Sequence, residues 1–137
     1  MNKSFLMKLL DNDLIPVIAP IGCDNEGNSY NINADYAAAS ISGALKADKL
    51  LIITDVDGVY KDIKDPSTLL PSITIREIKE YSDSGIIAGG MIPKLECCVS
   101  ALEKGAKSVQ LIDGRKTHCL LNSLQNNNGT KIITERV

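Results

Sequence analysis

The sequence is poor in aromatic side chains, with no tryptophan and a single phenylalanine in 137 residues. A core built on large rings is excluded, so the interior has to come from isoleucine, leucine, valine and alanine. No apolar run approaches the roughly 18 residues of a membrane-spanning helix, and the first residues show no secretory pattern. We therefore expect a soluble chain that contacts no membrane and works in the cytoplasm.

The sequence also lacks a large excess of charge of either sign, because 15 Lys and Arg residues nearly balance 17 Asp and Glu residues and leave a net charge of −2. Without a basic run, the chain has no footprint for nucleic acid, which is excluded as a partner. Hydrophobic residues make up 44% and charged residues 23%, which is ordinary globular composition. A chain of this length is predicted to form one domain, over residues 1–137.

Cysteine pairs and histidine clusters are missing as well. His118 is the only histidine, and no recognised triad surrounds it, so a surface or capping role is favoured over catalysis. The cysteines form no C-x-x-C pair, which predicts reduced thiols and no metal site. They are Cys23, Cys97, Cys98 and Cys119.

Apolar periodicity predicts alternating strands and helices. Predicted helices cover residues 34–46, 74–81, 91–104 and 117–124, and predicted buried strands cover 49–54, 109–112 and 131–134. This alternation indicates an α/β domain with a largely parallel sheet and helices on both faces. Ligands in such sheets bind beyond the carboxyl ends of the strands.

The segment before the first of these strands is predicted to be more irregular. Ser4 is a candidate cap for a short helix, and the apolar run Leu14–Ala19 predicts a buried strand that Pro16 makes irregular. Residues 24–28 then form a polar turn of hairpin type. Asn33 is the predicted cap of the helix that follows.

A glycine pair precedes the helix at residues 91–104. Gly89 and Gly90 are followed by Pro93, which the first turn of a helix tolerates, and by Lys94. Backbone N–H groups, the helix dipole and an ammonium group could converge there on a phosphate. A plain structural cap is the equal alternative, and the spacing is not that of a Walker P-loop.

An acidic turn, Asp55–Tyr60, follows the apolar strand at residues 49–54. Its beginning is similar to a calcium loop, but Val59 stands where an EF-hand needs an oxygen ligand, so that interpretation fails. Carboxylates at the end of a buried strand can accept hydrogen bonds from the ribose of a nucleotide. A solvated turn without a ligand is the alternative.

Four segments of the sequence occur in the same order as in a known protein family. They are Asn31–Asp35 (Asn-Ile-Asn-Ala-Asp), Thr54–Tyr60, Gly89–Lys94 and Ile112–Arg115. The chain resembles the carboxyl-terminal, nucleotide-binding half of the N-acetylglutamate kinases, within the amino-acid kinase family. The first segment is the more specific mark, whereas the acidic turn and the glycine-lysine segment are shared more widely in the family.

The resemblance implies ATP-dependent phosphorylation of the γ-carboxylate of N-acetyl-L-glutamate, in arginine biosynthesis, with Mg²⁺ accompanying the ATP. By this likeness Asn31 and Asn33 bind the substrate, Asp35 organises the catalytic lysines, and Lys94 neutralises charge on the transferring phosphoryl group. The residues implied to line ATP or ADP are Asp55, Val56, Asp57, Gly58, Val59, Tyr60, Ile86, Ile87, Ala88, Gly89 and Gly90.

The family's amino-terminal half supplies a second lysine, glycine-rich turns and an arginine, which have no counterpart in this sequence. We therefore expect little or no activity from the isolated chain, and a separate amino-terminal half or self-association as partners. The alternative is a non-catalytic nucleotide-binding or interaction module left from a truncated amino-acid kinase. Assays of the chain alone and complemented would separate these two functions.

Overall fold

The computed structural model describes residues 2–125 and 128–135. Helices and strands alternate along most of this part of the chain, as the apolar periodicity predicts. In chain order they are α1 (Lys3–Leu10), β1 (Ile21–Cys23), β2 (Ser29–Asn31), α2 (Ala34–Leu45), β3 (Leu50–Thr54), β4 (Ser72–Thr74), α3 (Ile75–Asp83), α4 (Met91–Glu103), β5 (Val109–Asp113), α5 (Cys119–Gln125) and β6 (Thr130–Ile133). A short 3₁₀ turn covers Pro66–Thr68.

The main sheet has the strand order β3-β5-β6-β4. β3 pairs with β5 and β4 pairs with β6 in parallel, whereas β5 and β6 run antiparallel. Every residue of β5 is buried, and α4 and α5 both pack against this strand. Because strand side chains alternate between faces, helices cover both faces of the sheet at β5. The predicted α/β class with a largely parallel sheet is confirmed.

Packing of α2 against α4 forms the centre of the helical layer. The close approach rests on small side chains in α2, where Ala39 is 1% exposed. On α4, Leu95, Cys98 and Ala101 are fully buried, as expected of one face of an amphipathic helix. This contact fixes the position of the beginning of α4 relative to the beginning of α2.

Two local predictions about helix starts have different outcomes. Thr74 and Glu77 form the predicted capping box, with Glu77 N–H donating to Thr74 Oγ1 at 3.0 Å and Thr74 N–H donating to Glu77 Oε2 at 2.9 Å. The predicted cap Ser4 of α1 is wrong, since Asn2 takes that place and accepts from Phe5 N–H at 3.0 Å. Asparagine and serine are about equally good caps, so the position was undecided by residue type.

The predicted buried strand Leu14–Ala19 is also wrong. This run has no strand structure, and Ile15 and Val17 are 90% and 96% exposed. A strand forms only where a neighbour supplies hydrogen bonds, and within the described residues the run has no strand partner. The apolar sequence is therefore left on the surface.

The hairpin predicted around residues 24–28 is present as the antiparallel pair of β1 and β2. Asp24 fixes the turn, because its carboxylate accepts from Glu26 N–H, Asn28 N–H and the Tyr30 hydroxyl at 2.8–2.9 Å. Hydrogen bonds from the Asn28 side chain, from Tyr30 and from the Asn28 backbone lower the pKa of Asp24 to about 2. The hairpin delivers the chain to Asn31, just before α2.

Candidate functional site

The acidic turn follows β3 at the carboxyl end of the strand, where the sequence placed it. Gly58 is held there with φ +152°, and a Cβ at this position would collide with Thr130 Oγ1. A side chain at Gly58 is therefore excluded by backbone conformation and by space together. The turn is a fixed structure and not a loosely solvated loop.

Thr130, at the start of β6, holds this turn in place. Its hydroxyl accepts from Val59 N–H at 2.8 Å and donates to Leu70 O at 2.6 Å. Thr130 is fully buried and Val59 is 2% exposed, so these bonds are shielded from water. Thr130 is a positioning residue that could not be recognised from the sequence, because a single threonine carries no motif.

One pocket of about 450 Å³ brings together the acidic turn Asp55–Tyr60 and the segment Ile86–Ala88. These segments are far apart in the sequence, and the pocket lies at the carboxyl end of β3, where α/β sheets bind ligands. Its size fits a drug-sized ligand or a nucleotide. Their contact with a nucleotide stays a prediction, but the structure places both segments around the same space.

Four further residues, to which the sequence analysis assigned no ligand contact, also line the pocket. They are Ile63, Gly85, Met91 and Arg115. Ile63 lies in the long connection after β3, which folds back through a bridge between Tyr60 and Leu69. Arg115 ends the last of the four family-like segments, to which no ligand contact was assigned. Its place in that segment was the only sequence signal that Arg115 belongs to the site.

Gly89 and Gly90 stand at the entrance to α4 and are absent from the pocket lining. Gly89 has φ +58°, a conformation that suits glycine. Gly90 is the cap residue, and no side chain caps the helix. Met91 N–H and Ile92 N–H donate to Ala88 O and Gly89 O at 3.4 and 3.3 Å, and Pro93 has no N–H. The start of α4 therefore offers chiefly the positive end of the helix dipole, beside the pocket residues Ala88 and Met91.

Lys94 and Asp35 form an ion pair, with 2.7 Å between Lys94 Nζ and Asp35 Oδ2. Their side chains are 21% and 27% exposed, so the pair is partly shielded from water. Asp35 lies in the first turn of α2 and Lys94 in the first turn of α4. Since Met91 and Lys94 are three residues apart, they share one face of α4. Lys94 is therefore about one helical turn along α4 from the pocket residue Met91, with its ammonium group held by Asp35.

The two asparagines assigned to substrate binding have different environments. Asn31 ends β2 and is exposed. The Asn33 side chain caps α2 as predicted, with Oδ1 accepting from Asp35 N–H at 2.9 Å and from Tyr36 N–H at 3.3 Å. Asn33 thus sets the position of Asp35. Its contact with the substrate stays a prediction, for which the side-chain N–H₂ group remains, because Oδ1 caps the helix.

Charge at the pocket rim is balanced by residues that follow β5. Lys116 forms an ion pair with Asp57, and the Tyr60 hydroxyl donates to the same carboxylate at 2.9 Å. The Lys116 ammonium and then Tyr60 lower the pKa of Asp57. The side-chain hydrogen bonds from Arg115 lower the pKa of Asp113. Both carboxylates are therefore charged at neutral pH.

The remaining titratable groups offer no second centre within the described residues. No group of three His, Cys, Asp or Glu side chains there could hold a metal ion. The four cysteines are free, and burial raises the pKa of Cys98 to about 12, which leaves it unreactive. His118 is exposed just before α5. None of the described helices has the length and apolar character needed to cross a membrane.

Comparison with known proteins fits this geometry. The amino acid kinase family matches residues 1–113. The chain belongs to this family. It is 58% identical over 131 residues to the acetylglutamate kinase of Clostridium acetobutylicum, covering 96% of this chain and 44% of that protein. Identity to the acetylglutamate kinase of Methanococcus aeolicus is 53% over 120 residues, covering 88% of this chain and 41% of that protein.

Among solved structures, the N-acetylglutamate synthase of Neisseria gonorrhoeae complexed with coenzyme A and N-acetyl-glutamate superposes with a TM-score of 0.88 at 28% identity. The match covers 100% of this chain and 32% of the synthase. This confirms the amino-acid kinase type of fold. The chain spans less than half the length of each of these relatives.

Proposed function

We propose that this chain is the ATP-binding portion of an N-acetylglutamate kinase. The reaction is transfer of the γ-phosphoryl group of ATP to the γ-carboxylate of N-acetyl-L-glutamate, in arginine biosynthesis. The observation that carries the proposal is the pocket, whose lining residue Met91 begins the same helix, α4, that holds Lys94 in its pair with Asp35. The identity to acetylglutamate kinases supports the substrate.

The pocket is suited to the nucleoside. Val56, Ile86, Ile87 and Met91 offer apolar surface for a base, and Asp55 and Asp57 offer carboxylates for ribose hydroxyls. The phosphates would then run toward the positive end of the helix dipole at the start of α4. Mg²⁺ would arrive on the phosphates, because magnesium is usually held by substrate phosphates with one or two carboxylates.

Lys94 would act on the transferring phosphoryl group. Phosphoryl transfer depends on positioning and charge stabilisation, with little covalent help from the protein. Asp35 restrains the ammonium group of Lys94, so its orientation is set before the reaction. Asn31 would bind the acetylglutamate, and the chain would work in the cytoplasm, where its free thiols are stable.

The experiment is calorimetric titration of the folded chain with ATP and ADP in the presence of Mg²⁺. We expect saturable binding of both nucleotides. Ala88→Trp should fill the pocket and abolish binding, whereas Ser40→Trp, at an exposed position of α2 outside this pocket, should leave it unchanged. Absence of nucleotide binding by chain that is folded by circular dichroism would contradict the proposal.

We also propose that the remaining part of an acetylglutamate kinase covers the exposed apolar strip formed by Leu14–Ile21. Ile15, Val17 and Ile21 are 90%, 96% and 67% exposed, and no charged residue occurs in this strip. Contiguous apolar surface of this kind marks an interaction site. β3 is an edge strand of the described sheet, with Ile53 54% exposed, so it can accept a further strand.

The relatives favour this partner, since more than half of their length is not matched by this chain. Co-expression with the unmatched segment of the Clostridium acetobutylicum kinase should give a stoichiometric complex with kinase activity. Val17→Asp should prevent it, whereas Lys64→Asp, in an exposed loop, should not. Self-association of the chain alone through the same strip, without a complex, would contradict this choice of partner.

A further inference from the structure

Arg115 lines the pocket, and its orientation is fixed by hydrogen bonds to a single carboxylate. Its guanidinium donates through Nε to Asp113 Oδ1 at 2.9 Å and through Nη2 to Asp113 Oδ2 at 3.0 Å. The Arg115 backbone N–H also donates to Asp113 Oδ1, at 2.9 Å. The Asp113 side chain is only 4% exposed, while that of Arg115 is 63% exposed. A buried carboxylate therefore holds an exposed guanidinium at the pocket wall.

This bidentate contact leaves some N–H donors of the guanidinium without a partner in Asp113. Arginine carries five N–H donors in a rigid plane, and the contact with Asp113 uses two of them. The remaining N–H donors lie on the edge of the guanidinium that faces away from Asp113. Arg115 itself lines the pocket. A planar edge with N–H donors matches the geometry of phosphate oxygens.

The loop that carries Arg115 is tied to the acidic turn by the sheet. β3 and β5 end side by side, with Thr54 paired with Asp113. Gly114 N–H donates to Thr54 O at 2.8 Å, and a Cβ on Gly114 would lie 2.5 Å from Ile53 Cγ2. Glycine is therefore required for this approach, which places Arg115 and Lys116 opposite Asp55 and Asp57.

A polyanionic ligand meets an electrostatic problem at this pocket. Asp55 and Asp57 both line it, and Asp113 supports its wall. Three carboxylates would repel phosphates. Lys116 is paired with Asp57 and Arg115 with Asp113, so two of these charges are offset by cations from a single loop.

We propose that Arg115 binds the phosphate chain of the nucleotide through its free guanidinium edge, and that Lys116 offsets the charge of Asp57 so that the acidic turn tolerates a polyanion. This assignment rests on the proposed nucleotide function. It adds a second cationic element, from the loop after β5, to the one at the start of α4. The two would approach the phosphates from different strands of the sheet.

The test is a ligand series of increasing negative charge, namely adenosine, AMP, ADP and ATP, titrated into wild type and Arg115→Gln. Direct phosphate contact predicts that Arg115→Gln lowers ATP affinity about tenfold, the effect of one lost charge-assisted hydrogen bond. The loss should become smaller as phosphates are removed from ATP and be less than about twofold for adenosine. Arg115→Lys keeps the charge but loses the planar fork, so its ATP affinity should lie between those of the wild type and Arg115→Gln.

Lys116→Gln should show the same dependence on ligand charge with a smaller loss, because Lys116 acts through Asp57. Arg76→Gln is the matched control, since Arg76 pairs with Glu80 on the exposed side of α3 and should change no affinity. Circular dichroism and urea unfolding establish that each variant is folded; if Arg115→Gln does not fold, Arg115→Lys still provides the comparison.

Three results would overturn the assignment. Equal loss for adenosine and ATP would mean that Arg115 only supports the loop, and unchanged ATP affinity in a folded variant would remove Arg115 from the site. In both cases wild-type binding would keep the nucleotide function intact. If wild type binds none of the four ligands, the nucleotide function itself fails, and the assignment of Arg115 fails with it.

Discussion

Replacing Lys94 with alanine tests the central pair of the site for both stability and reaction. Removing one partner of a fully buried ion pair costs about 3–5 kcal/mol, while an exposed pair contributes about 0–1 kcal/mol. The Lys94 and Asp35 side chains are 21% and 27% exposed, between these limits. We therefore expect Lys94→Ala to lower the free energy of unfolding by about 1–2 kcal/mol.

This expectation differs from what the sequence implies. A lysine in the first turn of a helix is usually solvated, so sequence alone predicts almost no loss of stability on Lys94→Ala. In the structure the side chain joins α4 to α2 and compensates Asp35. The alanine variant leaves that carboxylate partly desolvated without its cation, which is the source of the expected loss.

Urea unfolding followed by circular dichroism measures this loss of unfolding free energy. A double-mutant cycle with Asp35→Ala gives the coupling energy between Lys94 and Asp35. Lys107→Ala is the matched control, because Lys107 pairs with Asp48 at 2.6 Å with side chains 69% and 87% exposed. We expect its loss to be below about 0.5 kcal/mol.

In a kinase completed by the unmatched segment, Lys94→Ala should lower the transfer rate by about 10²–10³-fold, as for other preorganised charge-stabilising donors. The complemented wild type and Lys107→Ala provide the reference rates. A coupling energy near zero together with a normal transfer rate would show that the pair is an ordinary surface contact, and Lys94 would be withdrawn from the site.

Two further predictions concern the parts that position the site. Thr130→Val removes both hydrogen bonds of a fully buried hydroxyl, so we expect a loss of about 1–3 kcal/mol in unfolding free energy with weaker ATP binding; Thr130→Ser should retain both, and equal behaviour of the two variants would refute the positioning role. The pKa of Asp24 is lowered from 3.8 to about 2 in the folded chain, so its stabilising effect is complete above about pH 4 and is lost as pH falls toward 2. Titration by NMR should show the hairpin amide of Asn28 shifting in that window, and Asp24→Asn should abolish the shift.

Local sequence chemistry determined many individual elements of this protein. Thr74 and Glu77 specify a helix start because a capping box needs only residues three apart. The Asn33 cap is equally local. The alternation of apolar segments predicted the α/β class, and the acidic turn was placed after its strand correctly. The four ordered segments also indicated the family, which the comparisons confirm.

Elements that depend on a distant neighbour were not predictable in this way. β4 is three residues long and exists through its pairing with β6, a partner nearly sixty residues away that no local pattern reveals. Conversely, the run Leu14–Ala19 has strand-like composition and lacks a strand partner within the described residues. Apolar composition states that a segment can be buried, but whether it is depends on what packs against it.

The site shows the same division at the level of single side chains. Sequence determined which residues carry charge and where the chain can turn, because these properties belong to residue type and to near neighbours. Only the tertiary structure paired Lys94 with Asp35, anchored Val59 through Thr130, and turned Arg115 toward the acidic turn on the support of Asp113. Each of these contacts depends on the packing of α2 against α4 or on the register of β3, β5 and β6, and that register is set by the whole fold.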